Sequence, residues 1–175
     1  LQEHDNVKVK ILDDFSFGLL SNIESLKFKN LEMFRGDLRN LYELPKAVLE
    51  DVDYVFHLAA RPFVPESYVN PTEVFKVNTL GTLNLLTQSL KYNVRCFVHI
   101  STSEIYGTAQ YLPIDENHPT NPQSTYAISK LAAGKLVWSM HKEHSFPVVI
   151  VRPFNTYGPK DSHPRVIPEI ISQLS

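Results

Sequence analysis

The sequence predicts an α/β fold built on a doubly wound parallel sheet. Strand-like apolar runs alternate with helix-spaced segments along the whole chain, which is the pattern of βαβ units. Two of the runs, residues 94–100 (apart from Arg95 and His99) and 147–151, are apolar throughout, the composition of parallel strands covered on both faces. Two segments, residues 71–92 and 122–144, are long enough to be crossover helices.

Taken in order, residues 7–12 read as a strand, with Val7, Val9 and Ile11 on one face. Residues 31–35 read as a short strand running into Gly36 and Asp37. Residues 38–49 have helical spacing at Leu38, Leu41, Leu44 and Val48, interrupted by Pro45. Residues 53–58 form a strand that ends on Ala59 and Ala60. In the long helix over 71–92, Val74, Val77, Leu80, Leu83, Leu86 and Leu90 make an apolar stripe. The strand at 94–100, the helix at 122–144 and the strand at 147–151 follow, and residues 166–174 close with a short helix.

Composition narrows the classes of function. The 175 residues suit one domain, and the hydrophobic share of 43% suits a packed core. Net charge is −2 and no basic block stands out, so neither nucleic acid nor an anionic membrane is expected as a partner. No apolar run approaches the roughly 20 residues of a membrane span. The polar, acidic start from Leu1 to Asp5 does not read as a signal peptide. Cys96 is the only cysteine and lies in an apolar run, which reads as a core thiol and fits a reducing cytoplasm. His141 and His144 have no ligand company at metal spacing, so no metal is expected. There is no internal repeat.

A nucleotide-binding α/β domain opens with a strand and a Gly-rich turn. This chain has six glycines and no Gly-x-x-Gly-x-x-Gly. The expectation is a partial cofactor-binding domain over residues 1–175 that begins in the tail of a first helix. Residues 155–175 then lead into a substrate domain.

In parallel sheets ligands bind at the carboxyl ends of the strands. Asp13-Asp14, Asp37, Ala59-Ala60, Ser101-Thr102-Ser103 and Pro153-Phe154-Asn155 therefore share one expected rim. Four motifs stand there. Tyr126 and Lys130 lie four apart, on one face of a helix. A phenol is a poor base at pH 7, and a nearby cation favours the phenolate. That makes the pair an acid/base candidate for an alcohol proton. Alone it is weak, since such pairs also arise on solvated faces. Thr102 and Ser103 offer hydroxyls after a buried strand, and Glu104 adds a second potential base. Asn155, in the Pro/Gly-bounded stretch 152–159, offers both a donor and an acceptor. Asp13 and Asp14 follow the first strand, where an acidic side chain grips ribose hydroxyls and repels a 2′-phosphate, favouring NAD.

With these motifs in this order the chain resembles the NAD-dependent epimerase/dehydratase family, the extended branch of the short-chain dehydrogenases. The resemblance rests on His57-Leu58-Ala59-Ala60, Asn78-x-x-Gly81-Thr82-x-Asn84-Leu85-Leu86, Thr102, Tyr126-x-x-x-Lys130 and Arg152-Pro153-Phe154-Asn155-x-Tyr157-Gly158-Pro159. It implies a Rossmann domain followed by a smaller substrate domain. It implies NAD held by Asp13, Asp14, Phe15 and Gly18 at the ribose, and by Asp37 and Leu38 at the adenine. Leu58, Ala59 and Ala60 would lie under the cofactor, Asn78 on its long-helix side and Phe154 by the nicotinamide. Thr102, Tyr126 and Lys130 would be the catalytic trio, with Tyr126 and Lys130 also touching cofactor. Asn155 and Thr102 would touch a nucleotide-sugar substrate. A homodimer through the two long helices is the expected assembly.

The resemblance also implies a reaction that starts with oxidation at sugar C4. A 4-epimerase then needs no further base. A 4,6-dehydratase must deprotonate C5, and Glu104 is the carboxylate placed for that. Ser103 stands where dTDP-glucose dehydratases carry an Asp that serves the leaving water, and Ser-Glu is similar to GDP-mannose dehydratases. The stretch 106–119 most resembles bacterial dehydratases of nucleotide-linked N-acetylglucosamine. The favoured reading is thus a nucleotide-sugar 4,6-dehydratase. A 4-epimerase, a UDP-glucuronate decarboxylase and a non-catalytic binding domain stand as alternatives. Outside these motifs, Trp138 and Met140 read as core or partner contacts and His99 as structural. Arg61 could face a phosphate.

Overall fold

The computed structural model describes residues 7–24, 30–40, 46–161 and 166–174. Its strands are β1 (Val9–Asp13), β2 (Leu31–Arg35), β3 (Tyr54–His57), β4 (Cys96–Ile100) and β5 (Val148–Val151). Every pairing is parallel. β1 pairs with β2, and β3, β4 and β5 form a three-stranded sheet in that order. This is the Rossmann-type parallel arrangement that the alternation predicts. One expected sheet is here two. β1 and β3 are not bonded to each other, and the break falls where the doubly wound order places the strand that carries the Gly-rich turn.

The helices are α1 (Ser21–Glu24), α2 (Val64–Val69), α3 (Pro71–Phe75), α4 (Gly81–Lys91), α5 (Thr125–His144) and α6 (Val166–Leu174). The single helix expected over 71–92 is interrupted. α3 and α4 are joined by a π-helical stretch, Lys76–Leu80, which widens the turn just where Asn78 and Thr79 point inward. The extra residue also shifts the stripe. Val74 and Leu86 are buried, but Leu80 is 43% exposed, and Asn78, Thr82 and Ser89 take inward positions. α5 starts at Thr125, not at Pro122, because Ser124 is the N-cap and its hydroxyl accepts from Ala127 N–H at 3.1 Å. It ends at Ser145, which is left-handed. α1 and α2 carry no clear periodicity. The signal for α2 is Pro65 in its first turn.

The helix expected over 38–49 is not seen in the described part of that span. Residues 41–45 lie outside the described residues, and Lys46–Val48 is one 3₁₀ turn. Leu38, Val48 and Leu49 nonetheless reach the core, with Val55, Leu85, Leu86, Val94, Phe97, Val137 and Phe146. The core lies between the three-stranded sheet and the layer of α4 and α5. The opposite face is open. Tyr54, Phe56, Val149 and Val151 are exposed there, so β5 is not the fully covered strand its composition suggests. That composition is suited to cover on both faces, and the described residues supply it on one.

Candidate active site

The rim forms first through backbone bonds. Ser101 N–H donates to Val151 O at 2.7 Å, and Ser103 N–H to Pro153 O at 3.0 Å. These stitch the loop after β4 to the loop after β5. They bring Thr102, Ser103 and Glu104 beside Phe154 and Asn155. Thr102 is extended, and its hydroxyl caps the 3₁₀ turn Ser103–Tyr106 by accepting from Glu104 N–H at 3.3 Å. Glu104 is exposed, and among the described residues its carboxylate has no hydrogen bond or ion pair. Arg152 locks the same turn from behind. Its Nη1 donates to the Tyr106 hydroxyl at 2.9 Å and to Glu116 O at 3.1 Å.

Gly107 ends the turn at φ 64° and ψ −140°, a region glycine alone enters freely. A Cβ there would lie 2.1 Å from Asn121 O. Gly107→Ala is expected to cost at least roughly 1–3 kcal/mol from the backbone alone. Urea unfolding measures this, and an unchanged midpoint would contradict the packing described.

α5 carries the candidate acid/base pair. Tyr126 is 8% exposed and Lys130 is 3% exposed. Lys130 Nζ donates to Ile100 O at 2.6 Å, which fixes the ammonium at the carboxyl end of β4, two residues before Thr102. An ammonium has three donors, so this bond leaves two. Burial lowers the Lys130 pKa to about 8, because a charged amine is costly out of water. Lys130 and Thr102 thus meet at one strand end, and Tyr126 lies one turn before Lys130 on α5.

The cofactor side is shaped by β1 and β3. Asp13 Oδ1 accepts from Phe15 N–H at 2.7 Å, and Phe15 adopts φ 59° to make that turn. A Cβ on Gly18 would stand 3.1 Å from Asp13 Oδ2, so glycine is what lets the loop close over this carboxylate. Asp14 caps its own turn through Ser16 N–H at 2.8 Å. Asp37 is bound by Arg39, whose guanidinium is also paired with Glu73. The hydrogen bond from Arg39 holds the Asp37 carboxyl below its ordinary range. Leu38 is buried in the core, and its carbonyl accepts from Asn84 at 2.7 Å. Leu58 and Ala59 are exposed and Ala60 half-buried, a floor of small side chains after the one leucine. Asn78 is 1% exposed. Its Oδ1 accepts from Arg61 N–H at 2.7 Å, and its Nδ2 donates to Ser129 Oγ at 2.9 Å. Its amide therefore lies behind the floor, bonded to protein. Phe154 is exposed, as is Asn155. Arg61, the candidate phosphate cation, is instead paired with Glu66 at 2.8 Å and lies over the Phe17 ring at 4.7 Å. These groups suit NAD: a carboxylate for ribose, a low floor and an ammonium with two donors left.

Two buried histidines sit behind Lys130. His57 and His99 are register partners with ring centroids 5.5 Å apart. Among the described residues neither nitrogen of His99 has a partner. Burial, then the Lys130 charge, lowers the His99 pKa to about 3. Burial pushes His57 well below its ordinary value as well. Both are neutral when folded and titrate near 6.5 when unfolded, so the unfolded state binds more protons below that value. Stability is expected to fall as pH drops from about 6.5 toward 3. Urea midpoints across this range should fall less steeply for His99→Phe than for the wild type. An equally steep fall in the variant would contradict the assignment.

Sequence reasoning left Thr82 and Ser129 without a role. The signal for Thr82 was its place one turn after Asn78. Among the described residues there is no cluster of metal-ligating side chains, and no helix is long and apolar enough to cross a membrane.

The profile of the family described as GDP-mannose 4,6 dehydratase matches residues 1–175. The human dTDP-D-glucose 4,6-dehydratase is 34% identical over 177 residues, covering 99% of this chain and 51% of that protein. The dTDP-glucose 4,6-dehydratase of Streptomyces venezuelae, solved with NAD bound, superposes with a TM-score of 0.91 at 29% identity. The match covers 97% of this chain and 54% of that one. The UDP-N-acetylglucosamine 4-epimerase of Methanobrevibacter ruminantium superposes with a TM-score of 0.87 at 32% identity, over 95% of this chain and 55% of that one. The chain spans about half the length of the curated relatives it matches.

Proposed function

We propose that this chain, which belongs to the GDP-mannose 4,6 dehydratase family, is the NAD-binding part of a nucleotide-sugar 4,6-dehydratase. The observation that carries the reading is Glu104. Its carboxylate stands exposed and, among the described residues, unpaired on the 3₁₀ turn that Thr102 caps, at the strand end that also holds Lys130.

Asp13 binds the ribose hydroxyls, with Asp14, Phe15 and Gly18 around it, and Asp37 and the backbone of Leu38 border the adenine. Residues 58–60 form the floor, and Phe154 lies by the nicotinamide. NAD, when bound, supplies the hydride acceptor for C4 and the hydride donor for C6. Tyr126 takes the proton from the C4 hydroxyl, while the Thr102 hydroxyl holds that oxygen. Lys130, anchored on Ile100 O, keeps positive charge beside the phenol and favours its ionised form. The 4-keto group acidifies C5, and Glu104 removes that proton. Ser103 faces the C6 hydroxyl, which takes from Glu104 the proton removed at C5 and leaves as water as the C6–O bond breaks. Asn155 contacts the phosphosugar.

The homodimer reading rests on α4, α5 and the stretch before them. Phe75, Leu80, Ile128 and Trp138 are large, apolar and 41–49% exposed on these helices, a composition suited to a partner surface. Light scattering on the full-length protein should give twice the chain mass, and Trp138→Glu should lower it to one. The lone thiol Cys96, in a chain with no second cysteine to pair with, supports a cytoplasmic location.

Similarity to a 4-epimerase at 32% identity favours one other outcome, inversion at C4 without loss of water. Product analysis of the full-length protein with UDP-, GDP- and dTDP-sugars separates the two. A 4-keto-6-deoxy product is expected. A clean C4 epimer with no keto product would sink the dehydratase reading.

A further inference from the structure

Residues 58–60 are gripped at both ends by one turn of the neighbouring helix. At the near end, His57 Nε2 meets Thr82 Oγ1 at 2.7 Å. At the far end, Asn78 Oδ1 accepts from Arg61 N–H at 2.7 Å, and Asn78 Nδ2 reaches Arg61 O at 3.3 Å. One side-chain amide thus pairs with both backbone groups of Arg61. The two anchors are themselves joined, because the Thr82 hydroxyl donates to Asn78 O at 2.7 Å. A hydroxyl has one proton. Thr82 spends it on Asn78 O, so at His57 it accepts, and His57 carries its proton on Nε2.

The line continues into the catalytic helix. Asn78 Nδ2 donates to Ser129 Oγ at 2.9 Å, and Ser129 Oγ donates to Tyr126 O at 2.6 Å. Thr79 adds a bond from its hydroxyl to Ser129 O at 3.0 Å. His57, Asn78, Thr82 and Ser129 are each 0–2% exposed. At such burial every lost bond leaves a polar group with no water to replace it. Donors and acceptors match in a single direction, from His57 through Thr82 and Asn78 to the backbone of Tyr126. The π-helical stretch Lys76–Leu80 makes this possible, since it turns Asn78 and Thr79 inward together.

We propose that Thr82 and His57 are positioning residues that hold the floor at residues 58–60 in register with the Tyr126–Lys130 turn. Neither touches the reacting atoms. Thr82 sets Asn78, and Asn78 sets both the floor and the helix that carries Tyr126. The inference rests on the reading of this rim as an NAD site, and it does not require that the sugar be dehydrated.

The test is NAD affinity of the full-length protein, measured by isothermal titration for the wild type, Thr82→Val and Thr82→Ser. Valine keeps the shape and loses the hydroxyl. Serine keeps the hydroxyl and loses a methyl. Thr82→Val is expected to bind NAD about tenfold more weakly, and Thr82→Ser to return close to the wild-type value. His57→Gln, whose amide can still donate to Thr82, should likewise stay near wild type, while His57→Leu should weaken binding as Thr82→Val does. This second pair keeps the test open if Thr82→Val does not fold. Wild-type affinity in Thr82→Val, or equal losses in the valine and serine variants, would overturn the proposal. A wild type that binds no NAD would overturn the site reading beneath it. A wild type that binds NAD yet yields only a C4 epimer would overturn the dehydratase reading and leave this proposal standing.

Discussion

Tyr126→Phe is expected to lower the rate of C4 oxidation by about 10²–10⁴-fold, the span that a positioned acid/base contributes. The exchange removes one oxygen from a side chain that is 8% exposed, and the ring it leaves fills the same space. The helix around it keeps its backbone anchors. Ser124 caps its start, and the Tyr126 backbone carbonyl still accepts from Ser129. The Lys130 ammonium still donates to Ile100 O. What disappears is the group proposed to take the C4 proton. Rapid-quench analysis of 4-keto sugar in a single turnover reads this step directly. Oxidation in Tyr126→Phe within about tenfold of wild type would mean that another group accepts the proton, since general-base losses are larger.

The rim of the candidate site was legible in the sequence for a physical reason. Parallel strands deliver their next residues to one rim, so the strand ends bring forward Asp13, Thr102 and Asn155 as candidates. The i, i+4 geometry of a helix then placed Tyr126 with Lys130. What the sequence did not reveal depends on a change of period or on tertiary company. The π-helical stretch Lys76–Leu80 breaks the 3.6 repeat, so Leu80 reads as core and is exposed, while the polar Asn78 is buried. Asn78 reads as a residue that reaches toward cofactor. Its amide is bonded to Arg61 and Ser129, partners 17 and 51 residues away. Leu38 reads as a cofactor neighbour by its place after Asp37, yet its side chain is core. Arg61 reads as free to meet a phosphate, and Glu66, five residues on, pairs with it once α2 forms. The apolar run of β5 reads as covered on both faces, because composition records the cover a strand is suited to, not the cover a given stretch of chain provides.

The second large effect separates oxidation from elimination. In Glu104→Gln the C4 step is expected to proceed, while the 4-keto-6-deoxy product falls by about 10²–10⁴-fold. Gln matches the shape of Glu but has no site that takes a proton at neutral pH. The turn that carries it is held by contacts the substitution leaves alone. Thr102 Oγ1 accepts from the residue 104 backbone N–H, Asn121 N–H donates to Ile105 O at 2.9 Å, and Arg152 holds Tyr106. The side chain is exposed and, among the described residues, unpaired, so little stability is at stake. Deprotonation at C5 can be followed independently of product, by incorporation of solvent deuterium into the sugar. Wild type should incorporate one deuterium at C5, and Glu104→Gln should incorporate none while still forming 4-keto sugar. If the variant made 4-keto-6-deoxy product at the wild-type rate, Glu104 would not be the C5 base. If it lost C4 oxidation as well, Glu104 would belong with Tyr126 to the first step, and the case for dehydration drawn from it would fall with that role.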